Sequence, residues 1–438
     1  FTPAVQRVGS GTLAPHVLGR VGQMSPEEWE VYQDRGYAMD ETVGKDGAEG
    51  AFESYLHGTP GQKVLETDKD GRITGETNAV QPQAGRDVTL TLDRDLQAAA
   101  ETALAGFLDR HPQATGGALV ALDVRDGGVL AMVSQPGYDA ASFSADYAAL
   151  SQDEAHPLMN RAVQGLYAPG STFKLVTAAA ALEEGFLTPE TQILDTGRYT
   201  YYKSPQPQCW LYRQEGKTHG LETVSEAIAD SCNIFFYDVG RRLGVDVFSA
   251  MARQLGLATP TGVEITEAQG RLTWSSDENY QAGLTLMAAI GQGNTAVTPL
   301  QLAAYAATLA NCGQRPALHF ADRAVNAATG ETVWQYAPTF TTVSGGEGVF
   351  GPIRDGMKRM ARTTRVLREA PVACAAKTGS PQLADTLPGG GHYVNSVLIG
   401  YAPADDPQIA MAVVLEYGGG GSNAAPILRA VLDAVFVG

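Results

Sequence analysis

A hydroxyl and an amine three residues apart are the first sign of chemistry in this chain. Ser171 and Lys174 lie in the run Ala168-Pro169-Gly170-Ser171-Thr172-Phe173-Lys174. If that run opens a helix, both side chains share one face, one turn apart. A neutral amine in that place can take the hydroxyl proton and leave an alkoxide-like nucleophile. The residues that follow predict the helix. Leu175 to Glu184 is rich in Ala and Leu, holds no Gly or Pro, and stops at Gly185. Pro169-Gly170 breaks the chain just before it. Ser171 therefore falls where backbone N–H groups are unpaired and the helix dipole favours negative charge. Alone, Ser-x-x-Lys more often describes an N-cap serine followed by a solvated lysine.

Two more short groups change that balance. Leu221 to Leu243 is helical in pattern, through Val224, Ile228, Phe235, Phe236 and Val239, yet it contains Ser231-Cys232-Asn233. Ser and Asn compete for backbone hydrogen bonds, so a junction between two helices is expected there. Cys232 is expected to face the interior as a small hydrophobe, without a catalytic role. Further on, Val372-Ala373-Cys374-Ala375-Ala376 runs into Lys377-Thr378-Gly379-Ser380. Small and β-branched residues before that glycine predict a strand approached closely by other backbone.

The elements that must position these groups are legible in outline. Asp87 to Leu92 alternates at period two, and Asp93 caps a helix that runs to Leu108. Gly117 to Val124, a turn at Asp126-Gly127-Gly128, and Val129 to Ser134 form a hairpin. Its strands are nearly all apolar, so both faces should be covered. Gly283 to Ala310 is helix-rich with interruptions, and Ile353 to Thr364 reads as a helix. Tyr393 to Tyr401 and Ile409 to Glu416 read as strands, and Ala424 to Phe436 as a closing helix. That order predicts an α+β fold, an antiparallel sheet covered by helices. Residues 1–85 differ: apolar runs are short, and Gly, Asp, Glu and Thr are frequent. Ser25-Pro26 starts a helix, and Lys63–Thr67 with Arg72–Thr74 forms a hairpin. With no catalytic grouping there, the expected division is an accessory domain, 1–85, and a chemical domain, 86–438.

Composition removes several functions. The 438 residues carry 31 Lys and Arg against 48 Asp and Glu, a net charge of −17, which opposes nonspecific nucleic-acid binding and adhesion to anionic lipid. The chain holds no apolar run of the roughly 18 residues that a membrane span needs. Cys209, Cys232, Cys312 and Cys374 form no C-x-x-C pair and the seven His are scattered, so neither a metal site nor a cofactor is expected.

Taken jointly, Ser171-x-x-Lys174, Ser231-x-Asn233 and Lys377-Thr378-Gly379, in that order, resemble the penicilloyl-serine transferase superfamily of penicillin-binding proteins and serine β-lactamases. Gly128 to Pro136 resembles the inner hairpin of penicillin-binding transpeptidases. Gly291-Gln292-Gly293 with Val297 to Gln301 resembles another of their recurrent stretches. Gly47 to Glu53 with Leu56 to Gly61 resembles the end of the noncatalytic pedestal of class B penicillin-binding proteins. Ser380 stands where Thr is common.

The resemblance implies a serine β-lactamase-like fold on an N-terminal pedestal, and D,D-transpeptidase chemistry on peptidoglycan stem peptides, with carboxypeptidase side activity open. It implies Ser171 as nucleophile, Lys174 as its base, Ser231 as proton relay to the leaving amine and Asn233 as partner of the substrate amide. Lys377 and Thr378 would hold the substrate carboxylate, Gly379 would let the substrate come close, and the N–H groups of Ser171 and Ser380 would form an oxyanion hole. It further implies acylation by β-lactams, a membrane glycosyltransferase partner, and a place on the extracytoplasmic face of the bacterial membrane. There an N-terminal helix outside this chain would anchor it. Two rival readings keep the same residues: a serine β-lactamase, and a β-lactam sensor or idle scaffold of a wall-building complex.

Overall fold

The computed structural model describes residues 11–204, 206–387 and 390–437. The chain forms two compact units. One comprises the residues up to Thr91 together with Gly137–Leu150 and Phe320–Ala337; the other comprises Leu92–Pro136, Ser151–His319 and the residues from Pro338 on. The division therefore involves two later excursions as well as an N-terminal segment. Strand Arg86–Leu90, on the chemical side of the expected boundary, belongs to the smaller unit, where it pairs antiparallel with Ala321–Asn326.

In the smaller unit, helix Pro26–Tyr32 starts as expected. Ser25 accepts from the Glu28 N–H, and the Glu28 carboxylate reaches back to the Ser25 N–H. The expected hairpin is a two-stranded ribbon, Gln62–Thr67 with Ile73–Val80. Phe52 packs edge-on against Phe320, with ring centroids 5.5 Å apart.

The larger unit is built on a five-stranded antiparallel sheet. Its strands are β1 (Gly116–Asp123), β2 (Val129–Gln135), β3 (Ala375–Gly379), β4 (Ser396–Ala402) and β5 (Ile409–Glu416), in the spatial order β3-β4-β5-β1-β2. Every residue of β1 is buried, as expected for a strand covered on both faces. On one face, Leu119, Ala121, Met411, Val413 and Leu398 pack with Leu104 and Phe107 of α1 (Arg94–Arg110) and with Leu428 and Val431 of the closing helix Ala425–Phe436. Pro299–Ala310, whose twelve residues are all buried, packs against β5, β1 and β4.

The two sheet edges are treated differently. Asp93 caps α1 as expected, accepting from the Asp95 and Leu96 N–H groups. Next to that cap, the Gln97 amide donates to Met132 O and accepts from Met132 N–H, so a helix side chain takes both backbone groups of one residue at the outer edge of β2. Among the described residues, no strand pairs with the outer edge of β3. That edge leads directly into Ser380.

Two expectations needed adjustment, and a third, the break at Ser231–Asn233, held. The helix expected from Ser171 begins as a 3₁₀ turn, Gly170–Phe173, and becomes α2 only at Lys174–Glu183. The Leu221–Leu243 pattern is two helices, α3 (Val224–Ala229) and α4 (Asn233–Leu243), broken where Ser and Asn predicted, with Ser231 in the left-handed region at φ 55°. The helix expected from Ile353 starts at Gly346 and carries Pro352 inside it.

Candidate active site

The nucleophile turn is held by backbone interlocks. Gly170 has φ 55°, a conformation that favours glycine, and its N–H donates to Gly291 O at 2.9 Å. A methyl on Gly291 would lie 2.2 Å from Gly170 O, and one on Gly170 would lie 3.2 Å from Ser380 N. The stretch around Gly291 thus buttresses the serine turn and is not itself catalytic. Thr172 Oγ1 donates to Pro169 O at 2.8 Å and locks the turn from inside. Ser171 is left half-buried at the rim, while Lys174 is buried.

Lys174 does not point to solvent. Its Nζ donates to Ser231 O at 2.7 Å, Ser231 Oγ at 3.1 Å and Asn233 Oδ1 at 2.7 Å. The helix junction therefore supplies three acceptors to one amine, and the left-handed Ser231 turns both of its oxygens toward it. Burial lowers the Lys174 pKa to about 8, although Cys232, Cys209 and Glu222 push the other way. Among the described residues, Ser171 makes no hydrogen bond to Lys174; such contacts commonly tighten only with substrate bound.

Lys377 arrives from the edge strand and meets the same hydroxyl. Its Nζ donates to Ser231 Oγ at 3.0 Å and to Thr378 O at 3.0 Å. It is buried, and burial together with the Lys174 charge holds its pKa well below that of an ordinary lysine. Ser231 Oγ thus accepts from two amines, which leaves its own proton to point elsewhere. The partner counts differ. Lys174 has three acceptors, matching an ammonium, whereas Lys377 has two, matching a neutral amine. Two neighbouring ammonium groups would repel, so one proton shared by the pair is the favoured resting state.

Gly379 has a different reason from the one expected. A methyl there would meet Pro169 O at 2.5 Å and Ser171 N at 3.3 Å, so the nucleophile turn, more than a substrate backbone, requires glycine. Gly421 closes the other side: its N–H donates to Ser380 Oγ at 2.8 Å. Ser380 is exposed and Thr378 half-buried at the end of β3. The eight sequence-predicted residues, Ser171, Lys174, Ser231, Asn233, Lys377, Thr378, Gly379 and Ser380, thus occupy three adjoining segments. These are the serine turn with α2, the α3–α4 junction, and the end of the open edge strand.

This arrangement has known counterparts. The model of the penicillin-binding protein transpeptidase domain matches residues 117–433, and that of the penicillin-binding protein dimerisation domain matches residues 6–90. The chain belongs to the penicillin-binding protein transpeptidase family. The peptidoglycan D,D-transpeptidase MrdA of Salmonella typhimurium is 33% identical over 461 residues, covering 97% of this chain and 72% of that protein. A chain from a structure of a peptidoglycan synthase complex shares 34% identity at a TM-score of 0.86, over 98% of this chain and 76% of that one. Pseudomonas aeruginosa PBP2, solved in complex with WCK 5153, shares 31% identity at a TM-score of 0.81, over 98% and 89% of the two chains. The fold is accordingly that of a penicillin-binding transpeptidase with an N-terminal dimerisation, or pedestal, domain.

One group in this penicillin-binding protein was not among the sequence expectations. Asp195, Cys209, His219 and Cys232 bring one ligand atom each within 4.8 Å of the others. The His219 Nδ1 lies 2.8 Å from Asp195 Oδ2 and 3.6 Å from Cys209 Sγ. Two thiols, an imidazole and a carboxylate are a donor set that suits a soft divalent ion such as zinc. Within the cluster, the Cys209 pKa is lowered to about 4 beside Cys232 and His219, and that of Cys232 is raised, so Cys232 is held protonated. Beside it, both carboxylate oxygens of buried Glu222 lack a hydrogen-bond partner, and burial raises its pKa to about 7. Cys232 faces inward as expected, but into a polar cluster. Nothing in the local sequence marked these four, since each comes from a different segment.

Proposed function

We propose that this chain is a peptidoglycan D,D-transpeptidase acting through a serine acyl-enzyme. The observation that carries the reading is the meeting of Lys174 and Lys377 on the Ser231 hydroxyl, beside Ser171 and the open edge of β3. The stem peptide adds to that edge as an extra strand, its terminal carboxylate toward Lys377 and Thr378 and an amide toward Asn233. Reaction proceeds from the molecules in which buried Lys174 is neutral, while Lys377 and Thr378 hold the carboxylate by hydrogen bonds. Lys174 then takes the Ser171 proton as Oγ attacks the carbonyl of the penultimate D-Ala. The N–H groups of Ser171 and Ser380 receive the developing oxyanion. Ser231 passes a proton to the departing D-Ala amine, and an amine of a second stem peptide resolves the ester.

The larger unit carries this chemistry and the smaller one is the pedestal; a division near residue 85 is part of the proposal. Its proposed place is the extracytoplasmic face of the membrane beside a glycosyltransferase, a reading supported by the likeness to a chain of a peptidoglycan synthase complex that coordinates polymerization and crosslinking. Among the described residues, no helix is long and apolar enough to cross a membrane. β-Lactams, as mimics of the D-Ala-D-Ala end, acylate Ser171. The test is intact mass during incubation with penicillin. A lasting adduct of the whole antibiotic on Ser171 is expected, because ring opening loses no atoms. Rapid turnover with no lasting adduct would favour a β-lactamase, and absence of any adduct would overturn the assignment.

A further inference from the structure

Directly behind the segment that feeds Lys174 its acceptors lie two thiols that the reaction does not use. We propose that Cys209 and Cys232 are a disulfide-forming pair, and that closing the disulfide draws Ser231 and Asn233 away from Lys174. The placement of the sulfurs carries the first half. They belong to one cluster within 4.8 Å, both residues are buried, and both are free. The Asn233 N–H donates to Cys209 Sγ at 3.4 Å, so that sulfur already rests on the backbone next to Cys232.

The second half follows from where Cys232 sits. It is flanked by Ser231, strained at φ 55°, and by Asn233, the first residue of α4. Its own N–H is tied to Ala227 O at 3.0 Å. Bringing two unbonded sulfurs to the ~2 Å of a disulfide moves at least one of them by roughly an ångström. The neighbours on both sides of Cys232 are the Lys174 acceptors, and misplacing a catalytic group by about that much can cost on the order of a hundredfold in rate. A soft divalent ion on the same sulfurs and a disulfide between them exclude each other, so the ion protects the reduced form.

The chemistry balances with a small diazenedicarboxamide oxidant. The Cys209 thiolate adds to one nitrogen of the N=N bond, and the other nitrogen takes a proton. Cys232 loses its proton and attacks the Cys209 sulfur; the S–N bond breaks, and the leaving nitrogen takes the second proton. Two thiols become one disulfide and the diazene becomes a hydrazine.

The experiment treats the whole chain with a chelator, then with this oxidant, and maps alkylated peptides by mass. The expected result is a Cys209–Cys232 linked peptide two hydrogens lighter than the reduced pair. Penicillin acylation should slow at least tenfold and recover with dithiothreitol. Zinc added before the oxidant should prevent the link, and Cys209→Ser should remove the oxidant sensitivity of acylation. Should Cys209→Ser fail to fold, Cys232→Ala serves the same purpose. The acylation readout rests on the assignment of Ser171 as nucleophile, whereas the mass map does not, so the two fail separately. The pairing is overturned if both cysteines remain alkylatable at an oxidant dose that closes a control dithiol peptide. The positioning effect is overturned if the link forms and acylation is unchanged.

Discussion

The pH dependence of acylation tests the assignment of Lys174 most directly. Burial sets its pKa at about 8, against 10.5 for an ordinary lysine. At pH 7, roughly one molecule in ten then holds a neutral Lys174, against roughly one in three thousand without the shift. Folding bears a cost of about 3 kcal/mol at neutral pH for that gain. The sign on stability follows. Between pH 8 and 10.5 the unfolded chain keeps a proton that the folded chain has released, so this residue makes stability rise with pH across that window. Lys377, whose pKa is lowered for the same first reason, adds in the same direction.

The assay is stopped-flow acylation by a fluorescent penicillin from pH 6 to 9, with denaturant melts alongside. The second-order rate should climb nearly tenfold from pH 6 to 7 and level off above about 8. Lys174→Arg, which keeps the charge but cannot deprotonate, should lose two to four orders of magnitude, the usual share of a positioned base. A rate that is flat across this range, or a folded Lys174→Arg protein that acylates near the parent rate, would refute the argument and leave Lys174 as an electrostatic anchor.

Three further outcomes are expected. Gly379→Ala should slow acylation about a hundredfold, because the added methyl meets Pro169 O at 2.5 Å and must push the serine turn aside; acylation at the parent rate would show that the turn yields freely. Gly291→Ala should lower both the melting temperature and the acylation rate, since its φ of 74° disfavours a side chain and its methyl would lie 2.2 Å from Gly170 O; thermal melts and penicillin labelling check this. A chain beginning at Arg86 should stay folded and acylate, whereas one beginning at Leu92 should be less stable, because strand Ala321–Asn326 loses its Arg86–Leu90 partner; equal melting temperatures for the two would show that this pairing does not matter.

Much of the site was legible because its pieces are local. Ser171 and Lys174 lie one turn apart, Ser and Asn break a helical pattern at 231–233, and an apolar run delivers Lys377 to a strand end. Each of these is a statement about neighbours in the chain, and backbone geometry alone carries it. The hairpin Gly117 to Ser134 was legible for the same reason, its unbroken apolar strands demanding cover on both faces.

Contacts between distant segments were decided only in the folded molecule. Lys174 and Lys377 approach Ser231 from 57 and 146 positions away, and burial at that meeting point lowers both pKa values in a way no local pattern records. Gly379 is a glycine because the turn at Pro169–Ser171 packs onto it, a packing fact invisible in Lys-Thr-Gly itself. Asp195, Cys209, His219 and Cys232 come from four segments with no ligand-like spacing, so only burial behind one helix junction makes them a cluster. The helix from Gly346 starts earlier than its pattern because it runs on through Pro352, a residue that locally reads as a break. Sequence writes the local chemistry of each segment, and chain topology decides which segments meet, since side chains far apart in sequence acquire a common dielectric and common hydrogen bonds only once the core has closed around them.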